Sequence, residues 1–176
     1  MRTGTAISGG RNFRRQLLVT SLMLTVMAFA QTSTSTTPSA HSTHGAAMTH
    51  AKGTFTVKLE PQKDEPADPK LARLTIDKQF TGDLEGTSHG QMLSAGTDTK
   101  GSAGYVAIEK VTSTLNGKSG TFTLQHTATM NRGVPQLSIT VVPDSGTGEL
   151  VGIHGSLQII IANGKHSYDF EYAIEP

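Results

Sequence analysis

Between Thr54 and Ile174 the chain alternates apolar and polar residues in short runs, and glycine-bearing turns separate the runs. A period of two is the signature of a strand with one face buried. No segment of this span sustains the period of an amphipathic helix. The most telling stretch is Val141–Gly155 (VVPDSGTGELVGIHG), which leads into the apolar strand Ser156–Ala162. Such a pattern dictates an antiparallel all-β domain. It does not dictate a chemistry.

The strands read as follows. Thr54–Glu60 sets Phe55, Val57 and Leu59 against threonines and Lys58. Pro61–Pro69 is a charged, proline-rich loop. Leu71–Thr81 resumes with Leu74, Ile76 and Phe80 on one face, interrupted by Lys78. Asp83–Ala95 is broken by glycines and reads as a bent strand, or as two short ones around Gly90. Ala103–Leu115 and Lys118–Met130 flank Asn116-Gly117, a strong hairpin signal because both residues tolerate positive φ. Gln136–Val142, Glu149–Ile153 and Ser156–Ala162 follow. Asn163-Gly164 then turns into Lys165–Ile174, where Tyr168, Phe170, Tyr172 and Ile174 share a face. About eight strands of this kind make a closed barrel or a sandwich. The barrel is preferred, because hairpin connections follow one another and closure removes exposed edges.

The N-terminal part has a different composition. Met1–Ala30 reads as a secretory signal. Arg2, Arg11, Arg14 and Arg15 precede the apolar run Leu17–Ala30, and Ala28-Phe29-Ala30 supplies a small-x-small cleavage site. The run has 14 residues, short of the roughly 20 that span a bilayer. Arg14-Arg15 also resembles a twin-arginine signal, without the usual hydroxyl residue before the pair or the Phe after it. The expectation is an exported protein, periplasmic or extracellular, with no membrane association once the signal is cleaved.

Gln31–Ala51 is rich in Ser and Thr and reads as a disordered linker. Its His41, His44 and His50, with Met48, are weak candidates for copper or nickel, since imidazole and thioether suit such ions. Against this stands the ordering entropy a floppy segment loses on making a site. No other metal site and no cofactor is expected. The barrel domain is then 52–176.

Charge excludes one class of partner. The whole chain carries a net charge of +1. Without the four arginines of the signal, eleven basic and fourteen acidic residues remain, a net charge of −3. The mature part has two arginines, Arg73 and Arg132, and no basic stripe, so nucleic-acid binding is not expected. The absence of cysteine excludes thiol catalysis and thiolate metal sites.

Four blocks carry a family resemblance. They are Gly104–Val111 (GYVAIEKV), Gly117–His126 (GKSGTFTLQH), Val142–Leu150 (VPDSGTGEL) and His166–Tyr172 (HSYDFEY). In this order they resemble a bacterial family of small proteins of unknown function, secreted or cytosolic, over Lys52 to Glu175. The resemblance implies a β-barrel similar to that of plant allene oxide cyclase, and akin to the dirigent proteins, which bind small apolar molecules. It carries over no catalytic residue, and fold analogy alone is weak evidence for cyclase chemistry.

The Asn116-Gly117 turn also orders side chains. With a two-residue loop, Glu109 faces Leu124, and His126 lies diagonal to Glu109, opposite Ala107. With a four-residue loop, Glu109 faces His126. Both registers put Tyr105, Glu109, Phe122, Leu124 and His126 on one face. A carboxylate and an imidazole on an apolar wall are candidates for acid/base work, and equally for a buried hydrogen bond that holds two strands. Lys78 and Tyr172 are candidates to complete a pocket in the barrel mouth.

Gly146-Thr147-Gly148 lacks the following helix and the lysine of a phosphate loop and reads as a turn. His89, His154 and His166 match no zinc spacing. Three functions are open: a carrier of a small apolar molecule, a cyclase or isomerase using Glu109 and His126, and a homo-oligomer packed through outward Val106, Ile108 and Val142.

Overall fold

The computed structural model describes residues 47–63 and 68–175. The signal segment 1–30 and the linker residues 31–46, with His41 and His44, lie outside the described residues. Eight strands form one closed antiparallel barrel in chain order: β1 (Thr49–Pro61), β2 (Leu71–Gly82), β3 (Leu84–Gly96), β4 (Ala103–Leu115), β5 (Lys118–Asn131), β6 (Val134–Val141), β7 (Ile153–Ala162) and β8 (Lys165–Ile174). The barrel closes where β1 pairs with β8 over Thr49–Phe55.

At three places the structure departs from the sequence reading or decides between its alternatives. β1 begins at Thr49, inside the stretch read as linker, because Thr49–Ala51 pair with Tyr172–Phe170 of β8. His50 therefore lies on a strand. Its Nδ1 meets Asp169 Oδ1 at 2.6 Å, and Lys52 Nζ meets Asp169 Oδ2 at 2.9 Å. Ala51 is fully buried, which gives this start of β1 an anchor in the core. Second, β3 runs unbroken through Gly90.

Third, Glu149–Ile153 is not a strand. Gly148–Leu150 is a 3-10 turn, and Leu150 is completely buried. The chain from Val142 to Leu150 follows the edge of β5 by mixed bonds: the Val142 and Thr147 N–H groups donate to Thr123 and Thr121 carbonyls, both at 2.8 Å. The Thr121 and Thr123 N–H groups donate to the Thr147 and Ser145 hydroxyls, both at 3.0 Å. This excursion prolongs the pairing of β6 along β5, while β6 and β7 meet only at Thr140↔Ser156. The turn aims Leu150 into the end of the barrel as a plug.

The inner faces follow period two. Near the plug the interior is filled. Phe122 stacks on Phe170 at 5.5 Å between centroids, and Phe170 on Tyr172 at 5.2 Å. Leu84, Val111, Leu115, Leu124 and Leu150 are fully buried around them. Such a region is close-packed. Of the three outward candidates, Val106 and Ile108 are half exposed on the outer face of β4, while Val142 is partly covered where the excursion begins.

Tyr168 ties the closure across the barrel. The Leu84 N–H donates to its Oη at 2.9 Å. The phenol points between the carbonyls of Thr81 and Leu84, at 3.3 and 3.2 Å. Tyr168→Phe strands a buried N–H. Urea denaturation should show a loss of about 1–3 kcal/mol; an unchanged midpoint would show the phenol to be dispensable.

Candidate functional site: a charged floor beneath an apolar cup

The opposite end of the barrel is not filled. A cavity of about 300 Å³ opens there, lined by Phe55, Val57, Leu59, Ile76, Met92, Leu137, Ile159 and Ile161, with Lys78, Tyr105, His126 and His166 as its polar members. Leu59, Leu137 and Ile161 sit at its mouth and are 48%, 42% and 65% exposed. A second cleft of about 260 Å³ shares Tyr105 and Leu137.

The floor of the cup is built by four neighbouring strands. Lys78 on β2 pairs with Ser88 on β3, and Gly90 on β3 pairs with Glu109 on β4. Between β4 and β5 the register is that of the two-residue loop: Leu115↔Lys118, Glu109↔Leu124 and Ala107↔His126. Asn116 and Gly117 both take positive φ, 47° and 84°, as such a turn requires. His126 is therefore diagonal to Glu109, and Ser88 is diagonal to it on the other side.

Glu109 is wholly buried and collects three partners. Lys78 Nζ donates to its Oε2 at 2.6 Å. The Ser88 hydroxyl donates to Oε1 in a very short contact. His126 Nε2 stands 3.0 Å from Oε2; the distance suits a hydrogen bond, but the direction is poor and the nitrogen has no better acceptor among the described residues. To reach Lys78, the carboxylate crosses β3. The space is there because residue 90 has no side chain: a Cβ on Gly90 would lie 2.9 Å from Glu109 Cα and 3.1 Å from its Cβ. Burial pushes the Glu109 carboxyl up, but His126, Lys78 and Ser88 together outweigh it and hold the group at about 2. It is an ionised carboxylate at neutral pH. Tyr105, whose phenol is pushed up by burial and then by the Glu109 charge, stands on the wall above.

The structure sorts the sequence candidates. Lys78, Tyr105 and His126 line the cavity. Glu109 lies behind Lys78 and His126 and does not line it, so its role there is to position them. Phe122, Leu124 and Tyr172 do not line this cavity: they pack in the filled part of the core, and the Tyr172 phenol accepts a bond from Asn116 Nδ2 at 3.0 Å. They share an inner face with the site but sit further along the barrel axis. Sequence reasoning did not name Phe55, Val57, Leu59, Ile76, Met92, Leu137, Ile159, Ile161 or His166 as site residues, nor Ser88 on the floor. The signal for Ser88 was its parity with Leu84 and Met92, legible only if β3 is read as one strand. No group of three metal-ligating side chains occurs among the described residues. His89 pairs with Asp77 at 2.6 Å on the outer surface, and His154 lies beside Glu175 at 3.9 Å.

These features define a class: a closed eight-stranded antiparallel barrel, plugged at one end and cupped at the other, with a buried ion pair between. Within that class, the chain belongs to the family described as a protein of unknown function, DUF3224, which matches residues 51–172. A crystal structure of a family protein from Shewanella oneidensis MR-1, itself of unknown function, is similar to it. The two share 47% identity with a TM-score of 0.71, over 74% of this chain and 99% of that one. No curated protein matches.

Proposed function

We propose that the protein binds a small, largely apolar molecule in the open cup. The observation that carries this reading is the contrast between the two ends of one barrel. One end is filled to the centre by its own aromatic residues. The other keeps about 300 Å³ empty behind a rim of exposed Leu59, Leu137 and Ile161. That volume lies at the small end of the range for ligand pockets, and apolar walls with few polar groups are their usual composition. Exposed apolar rims on a soluble barrel mark contact with a ligand or partner.

Uptake of a hydrophobic fluorescent probe, N-phenylnaphthylamine, tests the reading. One saturable site is expected. Met92→Trp should fill the cup from a flexible, half-buried position and weaken uptake about tenfold or more, the loss that follows from displacing about 1.4 kcal/mol of contact. No saturable uptake, or uptake indifferent to Met92→Trp, would sink it.

We further propose that the protein works outside the cytoplasm. The support is the arginine-led apolar segment before Gln31. Terminal sequencing of the protein recovered from envelope and medium fractions tests this. An intact Met1 in the cytosolic fraction alone would refute it.

A further inference from the structure

The polar members of the cup are Lys78, Tyr105, His126 and His166, and the Lys78 amine group is the one that only donates. No Asp, Glu, Asn or Gln is among the residues lining the cavity. Lys78 lines it, although the residue is only 8% exposed. An ammonium carries three N–H bonds and accepts none. One of them is spent on Glu109 at 2.6 Å. No other side-chain or carbonyl acceptor meets Lys78 among the described residues. Its remaining neighbours are the faces of Phe55 and Phe80, with centroids 5.2 and 5.7 Å from Nζ. A buried ammonium with N–H bonds to spare is an incomplete arrangement, because buried donors are normally paired. A ligand oxygen is the group that completes it.

Charge decides which oxygen. Glu109 already cancels Lys78, so the floor of the cup carries no excess positive charge from this pair. A carboxylate ligand would place a second anion beside Glu109 in a low-dielectric site, with the one Lys78 ammonium between the two. A neutral carbonyl brings no second charge. It accepts a charge-assisted hydrogen bond without disturbing the ion pair. The hydrogen bond to Glu109 holds Lys78 Nζ in place as a donor.

We propose that the ligand of the cup is a neutral carbonyl compound, a ketone, aldehyde or ester with an apolar body, whose oxygen accepts a hydrogen bond from Lys78 Nζ. The inference rests on the reading of the cup as a ligand site. It adds the chemical class of the head group and the residue that holds it.

The test uses three probes of equal chain length, decane, methyl octyl ketone and decanoate, each displacing N-phenylnaphthylamine. On the wild-type protein, the infrared carbonyl band of the bound ketone should shift to lower frequency than in hexane, as it does when a cation donates to the oxygen. In Lys78→Met/Glu109→Leu, which removes both charges together, the shift should vanish. Ketone affinity should fall about tenfold, the worth of one charge-assisted bond, while decane affinity stays within about twofold. If decane and ketone both bind and the band is unshifted, the carbonyl assignment is overturned and the cup is purely apolar. If decanoate binds more tightly than the ketone and loses more in the double variant, an anionic head replaces the neutral one. If the probe binds saturably and none of the three displaces it, the carbonyl assignment is overturned while the ligand site stands; if the probe itself does not bind, the ligand-site reading falls. The infrared measurement needs no variant, so it tests for a hydrogen-bonded carbonyl in the cup even if the double variant folds poorly, and the variant assigns the donor.

Discussion

Glu109→Leu should be among the most damaging single substitutions in the barrel, costing about 3–5 kcal/mol, because it leaves the buried Lys78 ammonium without its counter-ion. Denaturant midpoints measure the loss. Adding Lys78→Met to the same chain should return most of it. Paired removal of a buried ion pair in favour of apolar side chains is often close to neutral. A residue of about 1–3 kcal/mol should remain, since the Ser88 hydroxyl then loses its acceptor. If the double variant is no more stable than Glu109→Leu, the pair is not the source of the penalty.

The same carboxylate sets an acid limb. Glu109 ionises at about 2 in the fold, against an ordinary value of 4.5. A group whose folded value is depressed stabilises the protein above the unfolded value and loses that contribution as pH falls through the folded one. The unfolded chain takes up its proton first. Glu109 therefore contributes on the order of 3 kcal/mol at neutral pH, declining between about pH 5 and pH 2. The difference in unfolding free energy between the wild type and the double variant should shrink over that window. Asp169, held low by His50 and Lys52 on the surface, is present in both chains and drops out of the comparison. A difference that does not change with pH would show that Glu109 is not held ionised by its partners.

Gly53→Val should be comparably severe, for a steric reason. Gly53 points into the barrel on β1, opposite Gly82. A Cβ there would fall on the carbonyl oxygen of Thr81 and on the phenol of Tyr168, whose ring carbon would be 2.8 Å away. Backbone cannot retreat, because Gly53 is also paired with Tyr168 across the β1–β8 closure. The phenol would have to leave the Leu84 amide it serves. Overpacking of a tight interior costs about 1–3 kcal/mol, and the broken Tyr168 bonds add about 1–3 kcal/mol more. Thermal unfolding should show a fall at least as large as that of Tyr168→Phe. Combining Gly53→Val with Tyr168→Phe should be less than additive, since both act on one contact. Strict additivity would separate the two sites and undo the steric account.

A substantial part of this was readable from the residues. Asn116-Gly117 carried the β4–β5 register among its two alternatives, and alternation then put Tyr105, Glu109 and His126 on a common face. The readings of 1–30 as a signal and of 31–46 as a linker, with His41 and His44, remain expectations from sequence alone, while His50 belongs to β1 and meets Asp169.

Other features were not readable. Period two states which face a side chain takes, but not how far along the barrel it sits. That depends on the stagger of all eight strands, and it is why Phe122, Leu124 and Tyr172 belong to the packed end and not to the cup. The Lys78–Glu109 bond joins β2 to β4 across a glycine in β3, so no pairwise hairpin rule reports it. Leu150 became a plug and not part of a strand because the excursion after Val141 bonds to β5 through hydroxyls as well as amides. The sequence by itself determined the all-β class, the faces and a choice of two registers for one hairpin, because those follow from local backbone chemistry. Closure decided the cup, the plug and the buried ion pair, because each requires residues from strands that are neighbours only once the sheet has curled shut.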